Sequence, residues 1–189
     1  MTSSRGRGLP DGRIVILTGA PGTGKTTTCR RLLDRAHELG LGCSGILCPA
    51  RIDGGVKVGI DVVDVRTEER RRLAEVDELP GRLRAGPYRF DEEAVAWGVS
   101  RLGAACPCDV LIVDEIGPLE MDLREGWVNA LDVLRAGEYR LAVAVVRPSL
   151  VDAVREALGA PSATPIRRCE VPGEEALREL LSLVELVAA

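Results

Sequence analysis

The stretch Gly19-Ala20-Pro21-Gly22-Thr23-Gly24-Lys25-Thr26 constrains this chain more than any other. It fits the pattern of Gly, four residues, then Gly-Lys-Ser/Thr, which is the phosphate-binding P-loop. The run 13–18 before it (RIVILT) is apolar and β-branched, so it reads as a buried strand. Gly19, Gly22 and Gly24 allow positive φ and bring backbone N–H groups close to phosphate oxygens. Lys25 then opens a helix, where unpaired N–H groups and the helix dipole favour an anion. Its ammonium is placed to reach the β- and γ-phosphates, and the Thr26 hydroxyl to be a ligand of Mg²⁺. The cofactor-binding set is therefore Gly19, Ala20, Pro21, Gly22, Thr23, Gly24, Lys25, Thr26 and Thr27. A strand before the loop and a helical segment after it, 27–39, separate this pattern from an ordinary Gly-Pro turn.

The second informative stretch is Asp109-Val110-Leu111-Ile112-Val113-Asp114-Glu115. A short apolar run ending in acids reads as a buried parallel strand with carboxylates at its carboxyl end, where open α/β sheets bind ligands. Asp114 is expected to help hold Mg²⁺, through a water. Glu115 is the candidate base that orients water for attack on the γ-phosphate. A further buried strand, 140–146, ends in Arg147-Pro148. Arg147 either faces the γ-phosphate and stabilises transition-state charge or pairs with a surface acid. Arg51, Arg167 and Arg168 are further candidate phosphate arginines. The predicted catalytic residues are thus Lys25, Glu115 and Arg147, and the predicted metal ligands are Thr26 and Asp114.

With 189 residues, 46% hydrophobic and 29% charged, the chain is long and apolar enough for one well-buried core. One domain over 13–189 is expected, preceded by a flexible polar tail over 1–12 that lacks the apolar core of a secretory signal. Aromatics are only 3%, so Val, Leu, Ile and Ala must build the core. The net charge of −4 provides no broad basic surface for nucleic acid or anionic membrane. Charges interrupt every apolar stretch before it reaches the length of a membrane span. The six cysteines (Cys29, Cys43, Cys48, Cys106, Cys108, Cys169) lack a strong metal-ligand spacing. Free, mostly buried thiols in a reducing cytoplasm fit them better than disulfides. His37 is the only histidine, which excludes any mechanism needing a histidine pair.

Elsewhere the pattern is that of an α/β chain. Residues 43–51 read as a strand leading to a sheet edge. Asp53-Gly54-Gly55 is a turn between it and an alternating run, 56–65, which predicts an inserted antiparallel hairpin. The arginine cluster Arg70-Arg71-Arg72 is either a phosphate-touching lid or a solvated, salt-bridged turn or helix, and Glu68 and Glu69 favour the latter. Residues 79–87 are loop and 88–90 a short strand. Asp91 is placed to cap a helix over 94–106. Residues 117–122 read as loop, 125–135 as helix, and 150–158 as a helix capped by Ser149. Residues 165–171 form a last strand. A final amphipathic helix carries Leu177, Leu180, Leu181, Val184 and Val187 on one side.

The P-loop, the Gly-rich hairpin, the run Asp114-Glu115-Ile116-Gly117-Pro118-Leu119-Glu120 and the strand at Val143 occur in a recognisable order. Together they resemble the small P-loop nucleoside-triphosphatases first named from thermophiles, which have a cancer-related human relative. The acidic run matches that family's pattern throughout, and the resemblance covers roughly 13–158. It implies a P-loop NTPase fold with a RecA-like, mostly parallel sheet flanked by helices, the acidic strand being inserted between neighbours of the P-loop strand. It also implies slow Mg²⁺-dependent hydrolysis of ATP, GTP and other nucleoside triphosphates. Gly22, Gly24, Lys25, Thr26, Asp114 and Glu115 are the matching functional positions. Two departures stand out. The family's Asn-Arg-Asp motif before the last helix is missing from Val171-Pro172-Gly173-Glu174-Glu175. Cys48-Pro49-Ala50 also stands where acidic residues are usual.

Three functions accord with these features. Hydrolysis uses Glu115 to align water. A small-molecule or nucleoside kinase would instead exclude water and bind an acceptor. A nucleotide-dependent switch would use slow hydrolysis to reset a partner surface, with the Gly-rich hairpin as the moving part. No guanine-reading Asn-Lys-x-Asp run is present, so nothing in the residues selects a base.

Overall fold

The computed structural model describes residues 13–76, 83–159, 166–170 and 174–189. The expected tail over 1–12 and the first part of the expected loop 79–87 lie outside the described residues. In chain order the elements are β1 (Arg13–Thr18), α1 (Lys25–Glu38), β2 (Cys43–Leu47), β3 (Ala50–Asp53), β4 (Val56–Asp64), β5 (Arg70–Val76), β6 (Arg84–Ala85) and β7 (Tyr88–Phe90). There follow α2 (Glu92–Gly103), β8 (Cys108–Ile116), α3 (Pro118–Met121), α4 (Ala130–Ala136), β9 (Tyr139–Val146), α5 (Val151–Ala157), β10 (Ile166–Glu170) and α6 (Glu174–Ala188).

One mixed sheet runs in the order β10-β1-β9-β8-β2-β4-β5-β7-β6, with β3 paired to β4. Its first five strands pair parallel with one another. The others pair antiparallel. The α/β P-loop fold is therefore as expected, with the β3–β4 hairpin inserted where Asp53-Gly54-Gly55 predicts it, but the sheet is mixed rather than mostly parallel. Three further expectations are corrected. The acidic strand β8 does not lie between two neighbours of the P-loop strand β1: it lies between β9 and β2, and of these only β9 neighbours β1. Residues 43–51 do not form one strand at an edge: the chain breaks at Cys48-Pro49, and β2 is an interior strand. The arginine cluster is neither turn nor helix but the start of β5.

The parallel half is buried on both faces, as continuous β-branched runs require. Period-2 alternation splits each strand between two cores. Val15 and Leu17 of β1, Val110 and Ile112 of β8, and Leu141, Val143 and Val145 of β9 face α1 and α6. Ile14, Ile16, Leu111, Val113, Ala142, Ala144 and Val146 face α2, α4 and α5. Each large aliphatic buried this way contributes about 1.5–3 kcal/mol. α6 buries Leu180, Val184 and Val187 as expected, with Ala176 and Leu183, whereas Leu177 and Leu181 lie at the margin of that face.

Helix ends follow local chemistry. Asp91 caps α2 by accepting from the Ala94 N–H at 2.9 Å, and Glu92 and Glu93 complement the dipole behind it. Residues 118–121 form a short helix rather than loop, while the helix expected from Glu125 begins only at Ala130. Ser149 does not cap: it lies in a tight 3-10 turn, Pro148–Leu150, and Leu150 occupies the N-cap of α5.

The closest backbone approach is at Gly45, in register with Ile112 of β8. A Cβ there would lie 2.0 Å from the Ile112 carbonyl oxygen, and φ is +111°. Gly45→Ala is therefore expected to destabilise the fold by about 3 kcal/mol or more, read as a lowered urea midpoint. An unchanged midpoint would mean that β2 and β8 do not pack at this distance.

Candidate active site

The P-loop, Asp114, Glu115 and Arg147 gather at the carboxyl edge of the parallel strands, the ligand-binding edge of such sheets. The loop after β1 is the P-loop, β8 ends in Asp114-Glu115-Ile116, β9 runs into Arg147, and β2 runs into Cys48. Thr18 fastens β1 to β9 at this edge, its Oγ1 donating to the Val146 carbonyl at 2.8 Å.

The P-loop is shaped from within. Thr23 Oγ1 donates to the Ala20 carbonyl at 2.8 Å. Lys25 Nζ folds back to the Gly19 and Ala20 carbonyls at 2.9 and 3.0 Å, and its side chain is only 7% exposed. Gly24 is the N-cap of α1 in the left-handed region and supplies no side-chain cap. The first-turn N–H groups of α1 are thus left for an anion, the arrangement that suits a phosphate.

The acidic strand meets this loop directly. Thr26 Oγ1 donates to Asp114 Oδ2 at 2.9 Å, and the Cys48 backbone N–H donates to the same oxygen at 3.0 Å. That second bond comes from the main chain and does not depend on the side chain at position 48. Asp114 is 2% exposed. Burial pushes its carboxyl up to about 6 against the two hydrogen bonds and Lys25, which pull it down, and the nearby Glu115 adds to the rise. A buried carboxylate beside a threonine hydroxyl is a hard-oxygen donor pair, which suits Mg²⁺. Among the described residues no group of three or more His, Cys, Asp or Glu side chains is arranged to hold a metal.

Because the folded carboxyl lies above its unfolded value of 3.8, the fold binds a proton more tightly than the unfolded chain between about pH 4 and 6. Stability from this group falls as pH rises through that window. Asp114→Asn, whose amide oxygen still accepts from Thr26 and Cys48, is expected to be more stable than the parent in chelator at pH 7. The gain is about 3 kcal/mol. It should vanish below pH 4, as checked by urea melts at both pH values.

Glu115 lies between two cations. Its Oε2 is 4.0 Å from Lys25 Nζ, and its Oε1 accepts from Arg147 Nε. Arg147 is also tied by its main chain, donating from N to the Ile116 carbonyl at 3.2 Å. Of the two alternatives for Arg147, the structure shows pairing with an acid, and that acid is Glu115. Arg51 stands elsewhere, donating to Glu75 at 3.0 Å and lying 3.9 Å from Asp61. Arg167 and Arg168 lie on β10, in register with Val15 and Ile16 of the P-loop strand.

The arginine cluster is committed to structure. Arg70 pairs with Asp61 at 3.3 Å, Arg71 with Glu69 at 3.1 Å and Arg72 with Glu75 at 3.6 Å. Arg71 also stacks on Trp97, as does Arg101 from α2. These arginines staple β5 to β4 and α2, so the lid role that a kinase would give them finds no geometric support. His37 is exposed in the last turn of α1. Cys29 and Cys43 are buried free thiols; Cys48, Cys106 and Cys108 are free and half-buried.

The residue that sequence reasoning left without a role is Glu120. Its Oε2 accepts from the Gly117 N–H at 2.8 Å and its Oε1 from the Trp127 N–H at 3.0 Å. Burial pushes it up to about 7, against those two bonds. The only signal was its place at the end of the run that begins with Asp114.

Comparison with known proteins points the same way. A protein-family model described as NTPase matches residues 14–164. The chain is 34% identical over 164 residues to the nucleoside-triphosphatase THEP1 of Pyrococcus abyssi (strain GE5 / Orsay), covering 84% of this chain and 88% of that protein. It is 32% identical over 131 residues to nucleoside-triphosphatase THEP1 of Caldivirga maquilingensis, covering 69% of this chain and 74% of that one. The solution structure of a human cancer-related nucleoside triphosphatase superposes with a TM-score of 0.68, over 93% of this chain and 97% of that one. At 24% identity, that last likeness is one of fold.

Proposed function

This chain belongs to the NTPase family of P-loop nucleoside-triphosphatases, and from that premise we propose that it hydrolyses nucleoside 5′-triphosphates, ATP and GTP among them, with Mg²⁺. The products are the diphosphate and inorganic phosphate. The observation that carries the reading is the meeting of three groups: Lys25 in the P-loop, Glu115 at the end of β8 and Arg147 at the end of β9.

Each group has one task. The P-loop backbone over 19–27 and Lys25 bind the triphosphate and orient its γ-phosphoryl group. Glu115 accepts a hydrogen bond from a water and holds it in line with the γ-phosphorus. As the new P–O bond forms and the bond to the leaving β-phosphate oxygen breaks, the water proton passes to the carboxylate or to phosphate. Lys25 and Arg147 face the oxygens on which charge develops. Thr26 and Asp114 would hold Mg²⁺, which when bound neutralises charge on the phosphate oxygens. Lys25, Glu115 and Arg147 are thus the catalytic set, and Thr26 and Asp114 the metal ligands. No helix among the described residues is long and apolar enough to cross a membrane, and we place the enzyme in the cytoplasm as one domain over 13–189.

Phosphate release from ATP, GTP, CTP and UTP, with Mg²⁺ and no added acceptor, tests this directly. Steady release from several of them is the expected result. Tight triphosphate binding without release would overturn hydrolysis and favour transfer to an acceptor or a switch.

A further inference from the structure

We propose that Glu120 is a positioning residue for this reaction, a carboxylate clip that fixes the backbone carrying Glu115 against the protein core. The inference rests on the hydrolytic role of Glu115 given above and adds a residue that role does not itself require.

The peptide unit between Ile116 and Gly117 is the second one after Glu115, linked to it through Ile116 alone. It is gripped from both sides. Its carbonyl accepts from the Arg147 N–H at 3.2 Å, and its N–H donates to Glu120 Oε2 at 2.8 Å. A shift of this unit would act on Glu115 through the single residue Ile116, which is itself fully buried. The other oxygen of Glu120 reaches forward to the Trp127 N–H at 3.0 Å. Trp127 is the anchor: it is buried, and its ring lies so close to Gly98 of α2 that a Cβ there would sit 2.4 Å from Cζ3. One carboxylate therefore ties the exit of the acidic strand to the α2 layer across the segment 117–127.

The surroundings are shaped for that carboxylate. Gly126 has φ +64°, and a Cβ on it would lie 2.0 Å from Glu120 Oε1. Any side chain at 126 would push the clip off Trp127. On the opposite side, a Cβ on Gly117 would lie 3.7 Å from both Glu120 Oε2 and Arg147 Cγ. The clip and the Glu115–Arg147 pair thus border the same glycine. An ionised carboxylate is the acceptor-only group that satisfies two N–H donors at once. A glutamine offers one oxygen, and its amide N–H₂ would face the second donor.

Glu120→Gln and Gly126→Ala test this by independent routes, one removing an acceptor and the other displacing it. Both are expected to lower kcat about tenfold or more, since small misplacement of a catalytic group is costly. The Kd for a non-hydrolysable Mg²⁺–ATP analogue should stay within about threefold of the parent, because Glu120 bonds to the Gly117 and Trp127 main chain and not to the P-loop. The double variant should be no slower than the worse single one, since both break the same clip. Unchanged kcat in either folded variant overturns the inference. Parallel loss of analogue binding and turnover, or loss of folded protein in both, assigns Glu120 to the scaffold alone and overturns it equally. Glu115→Gln run alongside separates the two levels. If that variant keeps full activity, the role of Glu115 fails. If it is inactive while Glu120→Gln and Gly126→Ala turn over normally, only the clip fails.

Discussion

Lys25→Ala is expected to abolish measurable turnover and to weaken triphosphate binding about 100-fold. Among the described groups, Lys25 is the cation whose own backbone opens α1 while its side chain lies along the P-loop. Its ammonium is nearly out of water, so its field at a bound phosphate is poorly screened. The loss should not come from unfolding. Lys25 Nζ donates to two P-loop carbonyls, and both lie in a loop that water reaches once the side chain is gone. The long contact to Glu115 at 4.0 Å contributes little to the fold. The measurements are phosphate release and equilibrium binding of the Mg²⁺–triphosphate, with a thermal melt as control. Near-normal turnover would remove the P-loop from the catalytic centre.

The parts of this site that were legible in the residues are those whose meaning is local. A P-loop is a spacing rule, because a tight glycine turn, a lysine and a hydroxyl must sit on consecutive positions to wrap a phosphate. The run ending in Asp114-Glu115 is legible because a strand buried on both faces must be apolar until it exits the sheet. Arg147 was found for the same reason, as the first charged residue after the buried run of β9. Strand order was not legible. That β9 separates β1 from β8 depends on pairings more than a hundred residues apart, such as Val15 with Val143, and no local pattern records them.

Other misses have local causes that tertiary contacts override. Arg70-Arg71-Arg72 carries no apolar alternation, so it reads as a solvated turn or helix. Its strand is set instead by main-chain pairing with β4, where Arg70, Arg71 and Arg72 lie opposite Val63, Val62 and Asp61, with the Arg70–Asp61 pair and the stack of Arg71 on Trp97 added. The late start of α4 at Ala130 follows from Gly126 at positive φ and from Trp127 turning inward to Gly98. Glu120 was invisible because its partners are backbone N–H groups, which every residue but proline has. Sequence shows that a carboxylate is present, but not which main-chain donors it will meet.

Glu115→Gln is expected to lower kcat by about 10³-fold while leaving Mg²⁺–triphosphate binding nearly unchanged. The substitution keeps the shape of the side chain and an oxygen able to accept from Arg147 Nε. It removes the negative charge that lets the group hold and deprotonate water. The fold should tolerate it. The Glu115 side chain is 27% exposed and its Arg147 partner 41%, so losing their charge attraction costs about 1 kcal/mol at most. A fall in rate with a normal melt and normal binding would therefore report chemistry. The paired variant Arg147→Ala separates two roles for the arginine. If Arg147 acts only by holding Glu115, then adding Arg147→Ala to Glu115→Gln should cost nothing further. If it also faces the γ-phosphate, the double variant should be slower again, because its charge acts on phosphate oxygens whatever stands at position 115. An unchanged rate in Glu115→Gln would move water activation away from Glu115 altogether. The search would then turn to Asp114, the other carboxylate at this strand end, which is already committed to Thr26 and the Cys48 backbone.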